Sequence, residues 1–289
     1  MKITNLFAAA LCTILLLTGT AKAQSKNNGN SLLWEVSGKG LTRPSYIFGT
    51  IHMMCPADFS ITDKTKKAFD TAEELVMEVN FTDPSETAEL QKAMMSPVPL
   101  SKKLSPVQFR LLDSVLTLKT GTSLKSMEQL SMTTISSFAI TKTLPCTEIK
   151  SYELEFANFA KTQHKPIGAL ETVKQQSEYF AKAFSDQMII DQILSFDDYK
   201  AVFTEMVDAY KKEDLKKLYA VLNDQRFGNT NESNKWMLEV RNANWAKQIP
   251  PMMKDKSCFF AVGSGHLAGK DGILQLLKDQ GYTVKPILK

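Results

Sequence analysis

Beyond its first two dozen residues the sequence has no apolar run long enough to cross a bilayer as a helix. It has no HExxH, no P-loop and no GxGxxG, which removes the most recognisable zinc-protease, nucleotide and dinucleotide signatures. There is no CxxC and no Cys/His spacing of a structural zinc site. Basic residues outnumber acidic ones only by 35 to 31. With no basic block interleaved with aromatics, nucleic acid is excluded as the expected partner. No repeat of about 20–50 residues is visible. Histidine is scarce, with three in 289 residues, and cysteine almost as scarce, with four.

The opening residues read as an export leader. Lys2 provides a positive start, Leu6 to Leu17 an apolar stretch, and Ala21-Lys22-Ala23 a small-x-small cleavage site. Residues 1–23 are therefore expected to be a signal peptide, with 24–289 as one domain. The apolar stretch is short for a membrane span, and Cys12 lies inside it, so no lipid or membrane anchor is expected. The destination would be the periplasm of a Gram-negative cell, or the outside of any other.

The informative stretch is Ser257 to Gly269, SCFFAVGSGHLAG. An apolar run, Cys258 to Val262, stops at Gly263-Ser264-Gly265-His266, as a buried strand does on entering a turn. Glycine tolerates backbone angles that other residues resist, so the chain is expected to turn there and present His266. The same arrangement occurs near the start, where Ser45 to Phe48 runs into Gly49-Thr50-Ile51-His52. Two of the three histidines thus follow an apolar run in a GxxH pattern. His164, among charged and polar neighbours, reads as a surface residue.

Leu32 to Val36 and Tyr46 to Phe48 are expected to pair as a hairpin. Leu75 to Asn80 and Pro166 to Leu170 read as further strands, ending near Glu78 and Glu171, and Tyr282 to Pro286 as the last. Helical spacing dominates from about 84 to 225. There Val107, Leu111, Val115 and Leu118 recur behind Ser105-Pro106, which suits a cap and first turn. Phe227 to Ser233 reads as a polar loop and Lys235 to Lys247 as a helix. The expected class is α/β, a mixed central sheet with flanking helices and a large helical insertion or cap.

Ligands of open α/β sheets bind beyond the carboxyl ends of the strands, where His52, Glu78, Glu171 and His266 would gather. Two imidazoles and a carboxylate suit a divalent transition metal such as manganese, cobalt or zinc, with His52, His266 and Glu78 as ligands. They suit acid–base catalysis equally. Glu171 reads either as a substrate contact or as a first-turn acid favoured by the helix dipole. Arg241 lies on a helix face with Met237, Leu238 and Trp245. It would clamp a substrate carboxylate, pair with Glu78 or Glu171, or lay its stem on the core with its head in water. Ser264 sits in VGSGH rather than in the GxSxG elbow, which makes it a lesser candidate nucleophile.

FGTIH, LVMEVN, GALETVKQQ, the RNANWAKQI helix and the closing AVGSGHLAGKDGILQLLKDQGYTV resemble the TraB/GumN family. That family includes the animal Wnt-cleaving TIKI proteases and bacterial pheromone-shutdown proteins. The resemblance implies a fold similar to erythromycin esterases and the haem-binding ChaN protein. It implies a site of His52, Glu78 and His266, with Arg241 matching the family's arginine, and a metal-dependent hydrolase acting on a peptide or small molecule. Two other functions stay open, a metal-independent esterase-like hydrolase and a binder that sequesters haem or a peptide. Among the cysteines, Cys55 and Cys146 lie in proline-flanked loops, whereas Cys258 opens an apolar strand. In an oxidising compartment this predicts a Cys55–Cys146 disulfide and a buried Cys258 thiol.

Overall fold

The computed structural model describes residues 30–224 and 229–288. The expected signal peptide lies outside the described residues. So does the start of the segment 227–233.

Six strands form one sheet in the order β4-β3-β5-β2-β1-β6. They are β1 (Leu33–Ser37), β2 (Ser45–Thr50), β3 (Glu74–Met77), β4 (Ile167–Ala169), β5 (Cys258–Gly263) and β6 (Thr283–Pro286). The sheet is mixed. β4, β3, β5 and β2 run parallel, while β1 is antiparallel to both β2 and β6. The expected β1–β2 hairpin is therefore present. β5 is last of the parallel strands in sequence yet lies between β2 and β3. Its register pairs Gly263 with Thr50 and Ala261 with Met77. The two GxxH segments thus leave the sheet side by side.

β5 is buried along its whole length, as expected of a parallel strand covered on both faces. Its side chains alternate between two cores. Phe259 and Ala261 pack with Phe48, Phe69, Leu75 and Phe156. Cys258, Phe260 and Val262 pack with Ile47, Val76, Trp245 and Ile273. Phe156 and Phe259 place their ring centroids 4.9 Å apart.

The helices are α1 (Asp63–Thr71), α2 (Pro84–Met94), α3 (Leu100–Lys103), α4 (Pro106–Thr120), α5 (Met132–Thr141), α6 (Tyr152–Thr162), α7 (Val173–Ala183), α8 (Asp186–Leu194), α9 (Phe196–Lys211), α10 (Leu215–Leu222), α11 (Asn231–Asn234), α12 (Val240–Met253) and α13 (Ile273–Asp279). A π-helical turn, Lys235–Glu239, joins α11 to α12. Between Pro84 and Leu222 the only strand is β4. This helical portion has a core of its own, where Leu100, Leu112, Leu116, Leu124, Ile135 and Ile193 meet. α4 begins where the sequence indicated, with a capping box between Ser105 and Gln108.

Three expectations need correction. On α4 the repeat of Val107, Leu111 and Leu118 faces water, 57%, 49% and 79% exposed, and only Val115 of the four is partly packed. The buried face is Leu112 and Leu116, because α8 approaches from that side. The expected polar loop is helical from Asn231, where Thr230 and Ser233 cap each other. The last long helix does not end at Lys247. It continues through Pro250 and Pro251 to Met253. Ile249 and Met253 are fully buried, and that packing outweighs the hydrogen bonds the prolines cannot make.

Cys55 and Cys146 are disulfide-bonded, with Cα atoms 5.8 Å apart. Beside the bond, Met54 and Lys150 exchange backbone hydrogen bonds in an isolated antiparallel bridge. The loop after β2 is thereby fastened to the segment that enters α6. Among the described residues no helix is long and apolar enough to cross a membrane.

Cys258 is buried and unpaired, and burial pushes its thiol pKa up to about 12. Almost no thiolate is present at pH 8, so a thiol reagent should leave the native protein unmodified. After unfolding without reductant it should modify Cys258 and neither Cys55 nor Cys146. Labelling of Cys55 before reduction contradicts the pairing. Replacing both bonded cysteines by alanine should lower unfolding stability by about 2–4 kcal/mol in a urea titration.

Candidate functional site

The parallel strands end together, and the residues just beyond them define the site. His52 follows β2, Glu78 follows β3, Glu171 follows β4 and His266 follows β5. Arg241 comes in from the first turn of α12, just after the π-helical turn.

Glycines let these ends approach closely. A Cβ on Gly49 would lie 3.1 Å from Ser264 Cα and 3.0 Å from Leu267. One on Gly263 would lie 3.2 Å from Glu78 Oε1, and 3.6 Å from both His52 Nε2 and His266 Cδ2. Neither glycine has a positive φ. Their need is the missing Cβ, not the unusual backbone angle expected from the sequence.

Arg241 is 3% exposed and ties the cluster together. Its Nε donates to Glu171 Oε1 at 3.0 Å and Oε2 at 3.2 Å. Its Nη2 donates to Glu171 Oε1 at 2.5 Å and also to Glu78 Oε2. Its Nη1 donates to His266 Nε2 at 3.0 Å and to the Met237 carbonyl at 3.1 Å. A guanidinium has five N–H donors, and these contacts occupy them all. The sequence allowed Arg241 to clamp a substrate carboxylate, but in this arrangement it has no donor left for one.

Glu171 also accepts from Trp245 Nε1 at 3.3 Å and Gln176 Nε2 at 3.0 Å. Like Glu78, it is absent from the lining of the cleft described below, and its side-chain partners are Arg241, Trp245 and Gln176. Glu78 accepts from the Gly263 N–H at 2.8 Å and from Gln176 at 3.2 Å.

The two carboxylates respond differently to burial. Burial opposes ionisation of Glu78, but Arg241 and then the histidines outweigh it and hold the pKa at about 2. For Glu171 burial prevails over Arg241, and the neighbouring charge of Glu78 adds to it, so its pKa is raised. Of this coupled pair, Glu78 is the carboxylate that stays ionised and Glu171 is protonated first.

The histidines are also set apart. Burial, and then the charge of Arg241, lower the His266 pKa to about 3, so the ring is neutral. Its Nδ1–H donates to Asn242 Oδ1 at 2.7 Å, and the Asn242 amide is oriented by donating to the Asp271 carbonyl at 2.8 Å. The lone pair is therefore on Nε2, 3.8 Å from Glu78 Oε1. His52 is on the open side, with its side chain 64% exposed. Its Nδ1 is 2.8 Å from Glu153 Oε1, which also accepts from Thr50 Oγ1 at 2.6 Å. The Glu153 carboxylate raises the His52 pKa, and water screens part of that attraction.

Glu153, Asn242 and Gln176 were not singled out from sequence, and Trp245 appeared there only as part of the apolar face around Arg241. Glu153 lies in the first turn of α6, where an acid reads as a complement to the helix dipole. The remaining histidine, His164, is exposed.

His52, Gly263, His266 and Arg241 form the floor of a cleft of about 320 Å³. Beyond Phe184 a second cleft of about 770 Å³ opens between α2, α5 and α7, and Gln176 faces it.

The donors fit a divalent metal in kind. Each histidine uses Nδ1 to bond an oxygen, which leaves Nε2 toward the site, and an ionised carboxylate is adjacent. As placed, Arg241 bonds both His266 Nε2 and Glu78. Among the described residues no group of three or more His, Cys, Asp or Glu closes on a metal position.

The buried arginine supplies a direct stability test. Arg241→Met leaves two carboxylates without their cation and should cost about 3–5 kcal/mol on urea unfolding. Arg241→Lys keeps the charge but cannot reach both carboxylates and His266 together, so it should recover only part of that loss. Wild-type stability in Arg241→Met would contradict the role given to this cluster.

The TraB/PrgY/gumN family model matches residues 32–286. A protein of Nematostella vectensis named metalloprotease TIKI homolog is 24% identical, covering 90% of this chain and 68% of its own. Human metalloprotease TIKI1 is 25% identical over 92% of this chain and 64% of its own. Metalloprotease TIKI2 of Danio rerio is 22% identical over 91% and 62%. The chain thus spans about two thirds of the length of these relatives. No solved structure matches it. Matched from β1 through β6, with both GxxH histidines inside the matched span, the chain belongs to the TraB/PrgY/gumN family.

Proposed function

We propose that this protein is an exported hydrolase of the metalloprotease type, cleaving a peptide or a small-molecule carbonyl compound in the cleft over Gly263. The observation that carries this reading is the His52–Glu153 pair, an imidazole held at Nδ1 by a carboxylate at the open edge of a site that keeps Glu78 ionised. Export is supported by the leader in the sequence and by the Cys55–Cys146 disulfide.

In the metal-free form a protonated His52 gives its Nε2 proton to the leaving group as its bond to carbon breaks, and Glu153 orients the ring for that step. Glu78 accepts the proton of the attacking water. Arg241 positions Glu78 and keeps it charged, and Glu171 holds Arg241 from behind. In the metal-bound form His52 would be neutral, with Glu153 accepting its Nδ1–H, and a divalent ion, manganese, cobalt or zinc, would be held by His52, His266 and Glu78. It would supply Lewis-acid polarisation and lower the pKa of a bound water. The names of the TIKI relatives and the donor types support this assignment.

A second reading, hydrolysis without metal, is favoured by one observation: Arg241 already places a positive charge against His266 Nε2 and Glu78.

Glu78→Gln should retain ligand binding and lower turnover by about a hundredfold or more, the scale of a lost acid–base group. Glu153→Gln should lower turnover with little change in KM. Chelation followed by readdition of manganese, cobalt or zinc should abolish and then restore activity in the metal-dependent form. Full activity after chelation, with metal content verified as nil, would leave only the metal-free form. Normal turnover by Glu78→Gln would reject both.

A further inference from the structure

We propose that the cleft over His52 selects an apolar side chain or acyl group over a cationic or uncharged polar one next to the bond that is cleaved. Cleavage of that bond rests on the hydrolase reading, whereas the binding preference does not.

The cleft is walled by apolar side chains from separate parts of the chain. Ile51 and Met53 come from the loop after β2, Phe203 and Met206 from α9, and Met237 and Leu238 from the π-helical turn. Its lining contains no Lys, Asp or Glu among the described residues. Among the described lining residues the groups that can carry charge near neutral pH are His52 and Arg241, and Arg241 has all its donors engaged with Glu171, Glu78, His266 and Met237. Tyr199 also faces the cleft, and burial pushes its pKa up to about 12, so it is neutral. A cationic substrate side chain would lose water here and meet no carboxylate among the described lining residues. An apolar one would displace water from the carbon that dominates the walls, where Thr50, Asn229, Ser233, Asn234 and Ser264 are the polar interruptions among the described residues.

The cleft volume of about 320 Å³ is at the small end for ligand pockets and suits one aromatic or branched aliphatic group with its adjoining backbone. Three of the six named wall residues are methionines, which adapt to different shapes. Discrimination should therefore be strong against cationic and uncharged polar groups, and weak between one apolar shape and another.

The test uses full-length processed protein and the unreactive probes N-acetyl-phenylalaninamide, N-acetyl-leucinamide and N-acetyl-methioninamide, compared with N-acetyl-glutaminamide and N-acetyl-lysinamide. NMR titration should give Kd values at least about tenfold lower for each apolar probe than for either polar one, and within a few-fold of one another. Met206→Glu should erase the preference over lysine, and Leu238→Gln should weaken it in the same direction. The wild-type comparison stands even if a variant misfolds. Equal binding of polar and apolar probes, or no binding of any, overturns the proposal. Turnover of the matching N-acetyl-dipeptide amides is followed in parallel. An apolar preference without turnover contradicts only the hydrolase reading, and turnover without that preference contradicts only this one.

Discussion

One buried guanidinium organises the site. Arg241 is in contact with two carboxylates, an imidazole and a backbone carbonyl, and it is almost wholly removed from water. A cation in such a position is tolerable only where every donor finds an acceptor. Those acceptors come from the end of β3, the end of β4, the end of β5 and the π-helical turn. The four elements must therefore be in place together. Gln176, Trp245 and Asn242 complete the surrounding bonds, and among the described residues no buried side-chain nitrogen or oxygen lacks a partner.

The sheet order makes this possible. β5 is inserted between β2 and β3, so residues remote in sequence become neighbours at one edge. Gly49 and Gly263 then bring the backbones closer than a side chain would permit. The first GxxH supplies an exposed histidine backed by Glu153, and the second a buried histidine backed by Asn242. One pattern thus yields two environments, an exposed imidazole whose pKa Glu153 raises and a buried neutral one facing Arg241. The disulfide and the Met54–Lys150 bridge fasten the loop of His52 to the segment that carries Glu153.

Much of this was legible in the sequence because strand ends and glycines leave local marks. The strands, the two GxxH histidines, Glu78, and the pairing of Cys55 with Cys146 all stood out from their immediate neighbours. What was not legible depends on partners far along the chain. Glu153 looks like any first-turn acid until β2 brings His52 beside it. Arg241 showed an apolar helix face, but nothing local could say that its donors are all engaged. On α4 two apolar stripes compete, and only the approach of α8 decides which is buried. The reason for Gly263 is likewise tertiary, since its φ is ordinary and only the crowding by Glu78 and the histidines requires glycine.

The central claim is that Glu78 and Glu171 act through one shared cation. A double-mutant cycle on unfolding free energy with Glu78→Gln and Glu171→Gln tests it without knowledge of the substrate. The account predicts a coupling of about 1–3 kcal/mol between the two substitutions, because each changes how Arg241 holds the other. Additive effects, with a coupling below about 0.5 kcal/mol, would show two independent carboxylates and contradict the account.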